Sequence, residues 1–316
     1  MRTTIFFRCI SVLCILPILC CGQQDKNGDI IPSDDNEIVK TRFGFPKNKG
    51  TLQGDEINEA SGLVSSNINE NALWVHNDSG NQPLLFLLDT GANIKQRYFL
   101  EGVENRDWED MALGPGPNPD LSYIYLGEIG DNSLAHQQKI IYRFAEPTFT
   151  ESDKAIDTVR NIEVLRFVYE DQRQNAEALL VDPATQDIYI IAKRDGEPTL
   201  YNLANVTFNT QEPLIAKAVG TLRIQGAGLL SLVTASDVSR DGKEVLVKTY
   251  GKIYYWYREN TEISLADLLL SEPDTIRYEP EPQGEAIAFS ISPDGFFTLS
   301  EKNFGQKPIL YFYPRK

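Results

Sequence analysis

The chain has 316 residues, 41% of them hydrophobic and 10% aromatic, with 45 acidic against 30 basic side chains and a formal charge of −15. That balance disfavours nucleic acid and anionic lipid headgroups as partners and favours cations and cationic or neutral ligands. All four cysteines, Cys9, Cys14, Cys20 and Cys21, lie in the first 21 positions, so the part that folds has neither a disulfide framework nor a cysteine metal site.

Residues 1–21 carry Arg2 and Arg8 and then an apolar run from Ile10 to Leu19, interrupted by Pro17 and too short to span a bilayer as a mature helix. This reads as a secretion signal. Ile18-Leu19-Cys20-Cys21 resembles a bacterial lipobox, with Cys21 as the lipidated residue because the small Cys20 precedes it. An ordinary cleaved signal with incidental cysteines is the alternative. The expectation is an exported protein, lipid-anchored in the bacterial cell envelope at the outer membrane or cell surface, touching membrane only through its anchor. Residues 22–37 are polar, acidic and aperiodic, as in a flexible tether, and residues 38–316 read as one folded domain.

From Val39 onward short runs of Val, Ile, Leu, Tyr, Phe and Trp alternate with Gly, Asp, Asn and Pro, a strand-rich pattern in which only Leu265 to Leu270 suggests a helix. One unit recurs. A strand with an acidic head appears as EASGLV (Glu59), WEDMAL (Glu109), AEALLV (Glu177) and GEAIAF (Glu285), with a divergent member starting at Leu232. After a turn comes an aromatic and aliphatic strand ending in polar residues, then a third strand, then in the first four units a fourth. Four antiparallel strands repeating at about 50 to 60 residues is the signature of propeller blades. The expected fold is therefore all-β, a β-propeller of five four-stranded blades, with six as the other count. The last unit lacks a fourth strand, and Val39 to Phe45 is a strand without a unit. Pairing the two closes the ring and removes an exposed edge. A β-sandwich leaves the recurrent acidic head without a reason.

In a propeller the start of each inner strand shares a face with the end of the second strand, so the acidic heads and polar clusters should meet at one mouth. Glu177 and Lys193, Leu232 and Lys248, and Glu285 and Glu301 are each 16 residues apart, which suggests equivalent cross-strand positions. Glu177 with Lys193 is then an ion pair. Glu285 with Glu301 is a like-charge pair that needs a shared proton, a cation, or Lys248 as counter-ion. The same carboxylates serve equally well as structural acceptors of backbone N–H groups between blades. His76, Asn77, Trp108, Glu109, Glu177, Lys193, Lys248 and Tyr250 are the candidate ligand-binding residues. Glu59, Asp78, Asp107, Asp131 and Asn132 offer the scattered oxygens that suit Ca²⁺ better than zinc, and only two histidines, His76 and His136, exist. The Asn, Asp and Gly of these loops also fit plain tight turns.

The progression Ser61-Gly62-Leu63, Leu73 to Gly80 (LWVHNDSG), Asp107 to Ala112 (DWEDMA), Gly127 to Asn132 (GEIGDN), Glu177 to Leu179 and Val233 to Gly242 resembles a family of bacterial envelope β-propeller proteins of mostly uncharacterised function. Glu128 stands where that family usually has aspartate. A weaker similarity, through the E-x-SGL opening, is to SdiA-regulated and esterase-like phytase propellers. Neither resemblance identifies a nucleophile, and there is no GxSxG. Two functions follow. One is a binding lipoprotein whose mouth takes a small polar molecule, a glycan or a protein partner, with Ca²⁺ as the candidate cofactor. The other is a calcium-dependent hydrolase of a phosphoester, lactone or glycoside, with Glu285 and Glu301 as acid and base.

Overall fold

The computed structural model describes residues 42–151, 154–194, 198–224, 226–303 and 305–316. The leader, Cys21, the acidic segment to residue 37, and Val39 to Thr41 lie outside them.

The described chain opens with β1 (Lys47–Thr51). Blade 1 follows as β2 (Ala60–Ser65), β3 (Ala72–Asn77), β4 (Leu84–Asp89) and β5 (Ile94–Leu100). Blade 2 begins with β6 (Trp108–Gly114), β7 (Tyr123–Glu128) and β8 (Lys139–Ala145). The chain then returns to blade 1, where β9 (Asp157–Val159) pairs in parallel outside β5, before β10 (Glu163–Tyr169) completes blade 2. Blade 3 is β11 (Ala176–Val181), β12 (Ile188–Ala192), β13 (Thr199–Leu203) and β14 (Leu214–Thr221). Blade 4 is β15 (Val233–Val238), β16 (Glu244–Thr249), β17 (Ile253–Tyr257) and β18 (Asp274–Ile276). Blade 5 is β19 (Gly284–Phe289), β20 (Gly295–Ser300) and β21 (Ile309–Pro314), with β1 as its outer strand. The fold is a five-bladed β-propeller closed by an N-terminal strand. Blades 2 and 3 also join through their outer strands, because β10 pairs in parallel with β14.

The closing strand is displaced from its expected place. Of the Val39 to Phe45 segment, Phe43 makes one antiparallel bridge, to Arg315, and Gly44 N–H donates to Pro314 O at 2.7 Å. The ladder itself runs from Lys47 to Thr51 against Phe312 to Ile309. Pro46, which has no N–H to give a ladder, separates the two stretches. The helix α1 (Leu265–Leu269) forms where expected, its first turn capped by Ser264 Oγ accepting from Asp267 N–H.

Five apolar clusters fill the five spaces between neighbouring blades. This explains why the inner and second strands are buried along nearly their whole length, on both faces. Alternate side chains of β11 enter different clusters, Ala176, Leu179 and Val181 facing blade 2, Ala178 and Leu180 facing blade 4. Each such large side chain contributes about 1.5–3 kcal/mol by leaving water. All three tryptophans belong to these layers, Trp74 and Trp108 between blades 1 and 2, Trp256 between blades 3 and 4.

Around the axis β2 packs on β6, β6 on β11, β11 on β15, β15 on β19, and β19 on β2. All five inner strands carry a β-bulge near the start, leaving one residue outside the ladder: Gly62, Glu109, Glu177, Thr234 and Glu285. A bulge re-aims the extra side chain, and here it directs Glu109, Glu177 and Glu285 toward the mouth. No helix among the described residues is long and apolar enough to cross a membrane.

Candidate functional site

The bulges fix the equivalences between blades, and two differ from those read in the sequence. In blade 1 the bulged residue is Gly62, three positions after Glu59; in blade 4 it is Thr234, not Leu232. Thr234 is 16 residues before Tyr250, so Tyr250, rather than Lys248, is the counterpart of Lys193 and Glu301. Thr234 Oγ1 donates to Gly284 O at 3.1 Å and ties blade 4 to blade 5.

One side of the mouth is a hydrogen-bonded arc across blades 3, 4 and 5. The Lys193 ammonium contacts Glu177 Oε1 and reaches Tyr250 Oη at 3.4 Å; Tyr250 O–H donates to Glu285 Oε1. Glu301 stands near enough to Glu285 to feel its charge, a like-charge pair that is relieved when Glu301 keeps its proton. Burial first, then the Glu285 charge, pushes Glu301 up to about 10. Burial also lifts Glu177 to about 8 against the pull of Lys193, with Glu285 adding to the rise. Lys193 is held above its usual range, because Glu177 and Glu285 outweigh its own desolvation. Tyr250 is driven far up by burial and by Glu285, so it stays a donor.

The other side, in blades 1 and 2, holds carboxylates without such partners. Asp78 follows β3, Asp107 precedes β6, and Glu109 is the β6 bulge; one oxygen from each lies within 4.8 Å of the other two. Asn105 brings them together, its Nδ2 donating to Asn77 O at 3.0 Å and to Asp78 O at 2.8 Å. Gly130 packs so closely that a Cβ there would overlap the carboxylates of Glu109 and Asp107. Burial, and then Glu285, Asp107 and Glu59, push Asp78 up to about 7. Glu109, fully desolvated and facing Glu177, Asp78 and Asp107, is raised well above the carboxylate range. Asp107 is raised too, mainly by burial, with Lys139 opposing.

These three residues fit a hard cation. Two oxygens on one calcium, each about 2.4 Å from it, can be at most about 4.8 Å apart, and an all-oxygen set suits Ca²⁺ rather than zinc. Three carboxylates supply three to six of the six to eight ligands that calcium takes, the remainder being water or a ligand's oxygens.

The other residues singled out in the sequence take different places. Glu59 stands exposed at the lip, accepting from Asn81 Nδ2 at 2.7 Å, and its charge is felt by Asp78 and Glu301. Asp131 is not a free ligand. It forms a fully buried ion pair with Lys139 at 3.0 Å and accepts the N–H groups of Ala135 and His136 at 2.8 Å each, which together hold its carboxyl below the usual range despite burial. Asn132 is exposed and accepts from Asn175 Nδ2 at 3.1 Å. Trp108 is core, its Nε1 donating to Glu104 O at 3.2 Å, and not a platform for a ligand. Asn77 turns away from the mouth, donating to Glu56 O and accepting from Glu59 N–H.

His76 is buried, and burial lowers it to about 4. The neutral ring donates Nδ1–H to Asn77 O at 3.0 Å, leaving Nε2 as a bare lone pair. Lys248 lies beneath the mouth, fully buried, its ammonium on Gly284 O and 4.9 Å above the Tyr278 ring. Burial pulls Lys248 down to about 8, against the attraction of Glu281 first and Glu285 second. Its partner is thus Glu281 more than the Glu285 pair.

Sequence reading missed Lys139, Thr234 and Glu281, and it took Asp110 for one more oxygen ligand of its loop. Asp110, second acid of DWED, crosses the axis: its Oδ2 accepts Leu179 N–H at 2.9 Å and Ser236 N–H at 3.2 Å, fastening β6 to β11 and β15. The doubled acid was the available signal, one carboxylate for the mouth and one for the axis.

No protein-family model matches the chain, and no curated protein does. Among solved structures, a luciferin-regenerating enzyme aligns with a TM-score of 0.44 and 11% identity, over 86% of this chain and 96% of that one. A likeness so distant says nothing about the chemistry of this mouth.

Proposed function

We propose that this protein is an envelope-anchored binding propeller whose mouth holds a calcium ion on Asp78, Asp107 and Glu109 and, at that ion, a small polar ligand. The observation that carries the reading is the asymmetry of the mouth. Glu177, Glu285 and Glu301 are balanced by Lys193, Tyr250 and the proton that Glu301 keeps, while the three carboxylates of blades 1 and 2 crowd one point with no lysine or arginine hydrogen-bonded to them among the described residues. A cation is the simplest counter-charge. The burial of all three tryptophans removes the broad ring on which a sugar would stack, so a small ligand with oxygen donors is favoured over a glycan.

The hydrolase reading rests on Glu301 remaining protonated near neutrality and so able to act as an acid. Calorimetric titration of calcium into EDTA-treated protein tests the binding reading. One saturable site is expected, abolished in Asp78→Asn/Asp107→Asn and retained in Glu301→Gln. Turnover of a generic phosphoester or lactone that disappears in Glu285→Gln would replace this reading with catalysis.

A further inference from the structure

The face opposite the mouth has an axial cavity of about 360 Å³, enclosed by the ends of the inner strands and the hairpin turns after them. Its floor takes one apolar side chain from each blade: Val64, Leu113, Val181, Val238 and Phe289. Above that floor, Ile68, Leu121 and Ile291, from three different blades, stand 44%, 46% and 37% exposed. Asp110, tying three inner strands across the axis, lies between this cavity and the mouth.

Its size falls within the range of about 300–1,000 Å³ usual for small-molecule sites, and its lining is apolar and polar in about equal measure, as an amphipathic ligand requires. Aliphatic side chains converging on a concavity are also not the scattered apolar residues of an ordinary surface. The charges that face the cavity choose the ligand. Asp237 has both oxygens occupied, accepting Val238 N–H at 2.8 Å and Phe289 N–H at 2.7 Å. Asp120 is exposed to water on its loop. Arg240 is the one cation lining the cavity, and its guanidinium has no ion pair or hydrogen bond among the described residues. It also borders an adjoining recess of about 400 Å³, which shares Ser239, Phe289, Ser290 and Ile291 with the cavity. With 45 acids to 30 bases, an arginine left unpaired is placed to take an external anion.

We propose that this cavity binds a small amphipathic carboxylate, its apolar body on the five-residue floor and its carboxylate on Arg240. The site is separate from the mouth and does not depend on the calcium reading.

Isothermal titration with decanoate below its micellar concentration tests it, with decanol and decyltrimethylammonium as comparators. Decanoate should bind one-to-one and more tightly than either comparator. Arg240→Gln should weaken it about tenfold or more, the worth of a charge-assisted hydrogen bond. Leu121→Asp, at an exposed position that leaves the fold intact, should abolish it, and Asp78→Asn at the mouth should leave it unchanged. No saturable binding, equal binding of decanol, or indifference to Arg240→Gln would overturn the proposal.

Discussion

A Cβ on Gly62 would overlap Nε2 of His76. Gly62 has φ of +63°, a conformation that glycine adopts without strain, and it occupies the bulge from which the other blades project a side chain. The imidazole fills the space that side chain would need. Gly62 of the SGL motif and His76 of the HND motif, 14 residues apart, are therefore one packing feature.

Gly62→Ala should accordingly cost about 3 kcal/mol or more, combining left-handed strain with steric overlap. Denaturant unfolding measures it. His76→Ala in the same chain should recover part of the loss, so the double variant should fall short of the sum of the two singles.

At the mouth, every charge that acts strongly on Asp78 is of its own sign, Glu285, Asp107 and Glu59. Asp78→Asn keeps an oxygen for the N–H of Ser79 and removes the repulsion. In EDTA this variant should be more stable than the parent, by about 0.5–1 kcal/mol for a partly exposed group. With calcium the order should reverse, because the parent gains binding energy that the variant lacks. Paired thermal melts check both signs.

The same burial sets the pH response. Asp78, Asp237 and Glu281 are held near 7 and Glu177 near 8, all above their unfolded values, by desolvation first. Between the two values the folded chain binds more protons than the unfolded one, so the stability these groups contribute is lost as pH rises through 7 to 8. His76, lowered to about 4, works in the other direction below its unfolded value of 6.5, and Lys248, lowered to about 8, does so only above 8. The metal-free protein should therefore lose stability between about pH 6.5 and 8, read as a falling urea midpoint.

Asp131 and Lys139 form a buried pair whose parts cannot be removed singly at low cost. Lys139→Met should destabilise by about 3–5 kcal/mol by leaving a carboxylate uncompensated. Asp131→Ala should also destabilise, yet calcium binding should persist, since Asp131 is occupied by Lys139 and two backbone N–H groups.

The propeller was legible because each blade repeats the same strand order and turn chemistry. The register within two blades was not. An acidic head marks the bulge only where the bulged residue is Glu109, Glu177 or Glu285; Gly62 and Thr234 meet the same backbone need with different side chains, so reading by charge slid the frame to Glu59 and Leu232. Lys139 escaped notice because a lysine opening a third strand looks solvated, and only the fold carries it to Asp131. Trp108 was misplaced for a related reason: its neighbours in DWED face the mouth and the axis, while the ring itself turns into the space between blades.

The central claim is that the carboxylates of blades 1 and 2 share one cation. Crystals soaked in a lanthanide that substitutes for calcium would locate it directly by anomalous scattering. The account predicts a single strong peak with Asp78, Asp107 and Glu109 oxygens about 2.3–2.6 Å away, the distance expected for calcium-like coordination. An ion bound elsewhere on the chain, with these three carboxylates unliganded, would contradict it.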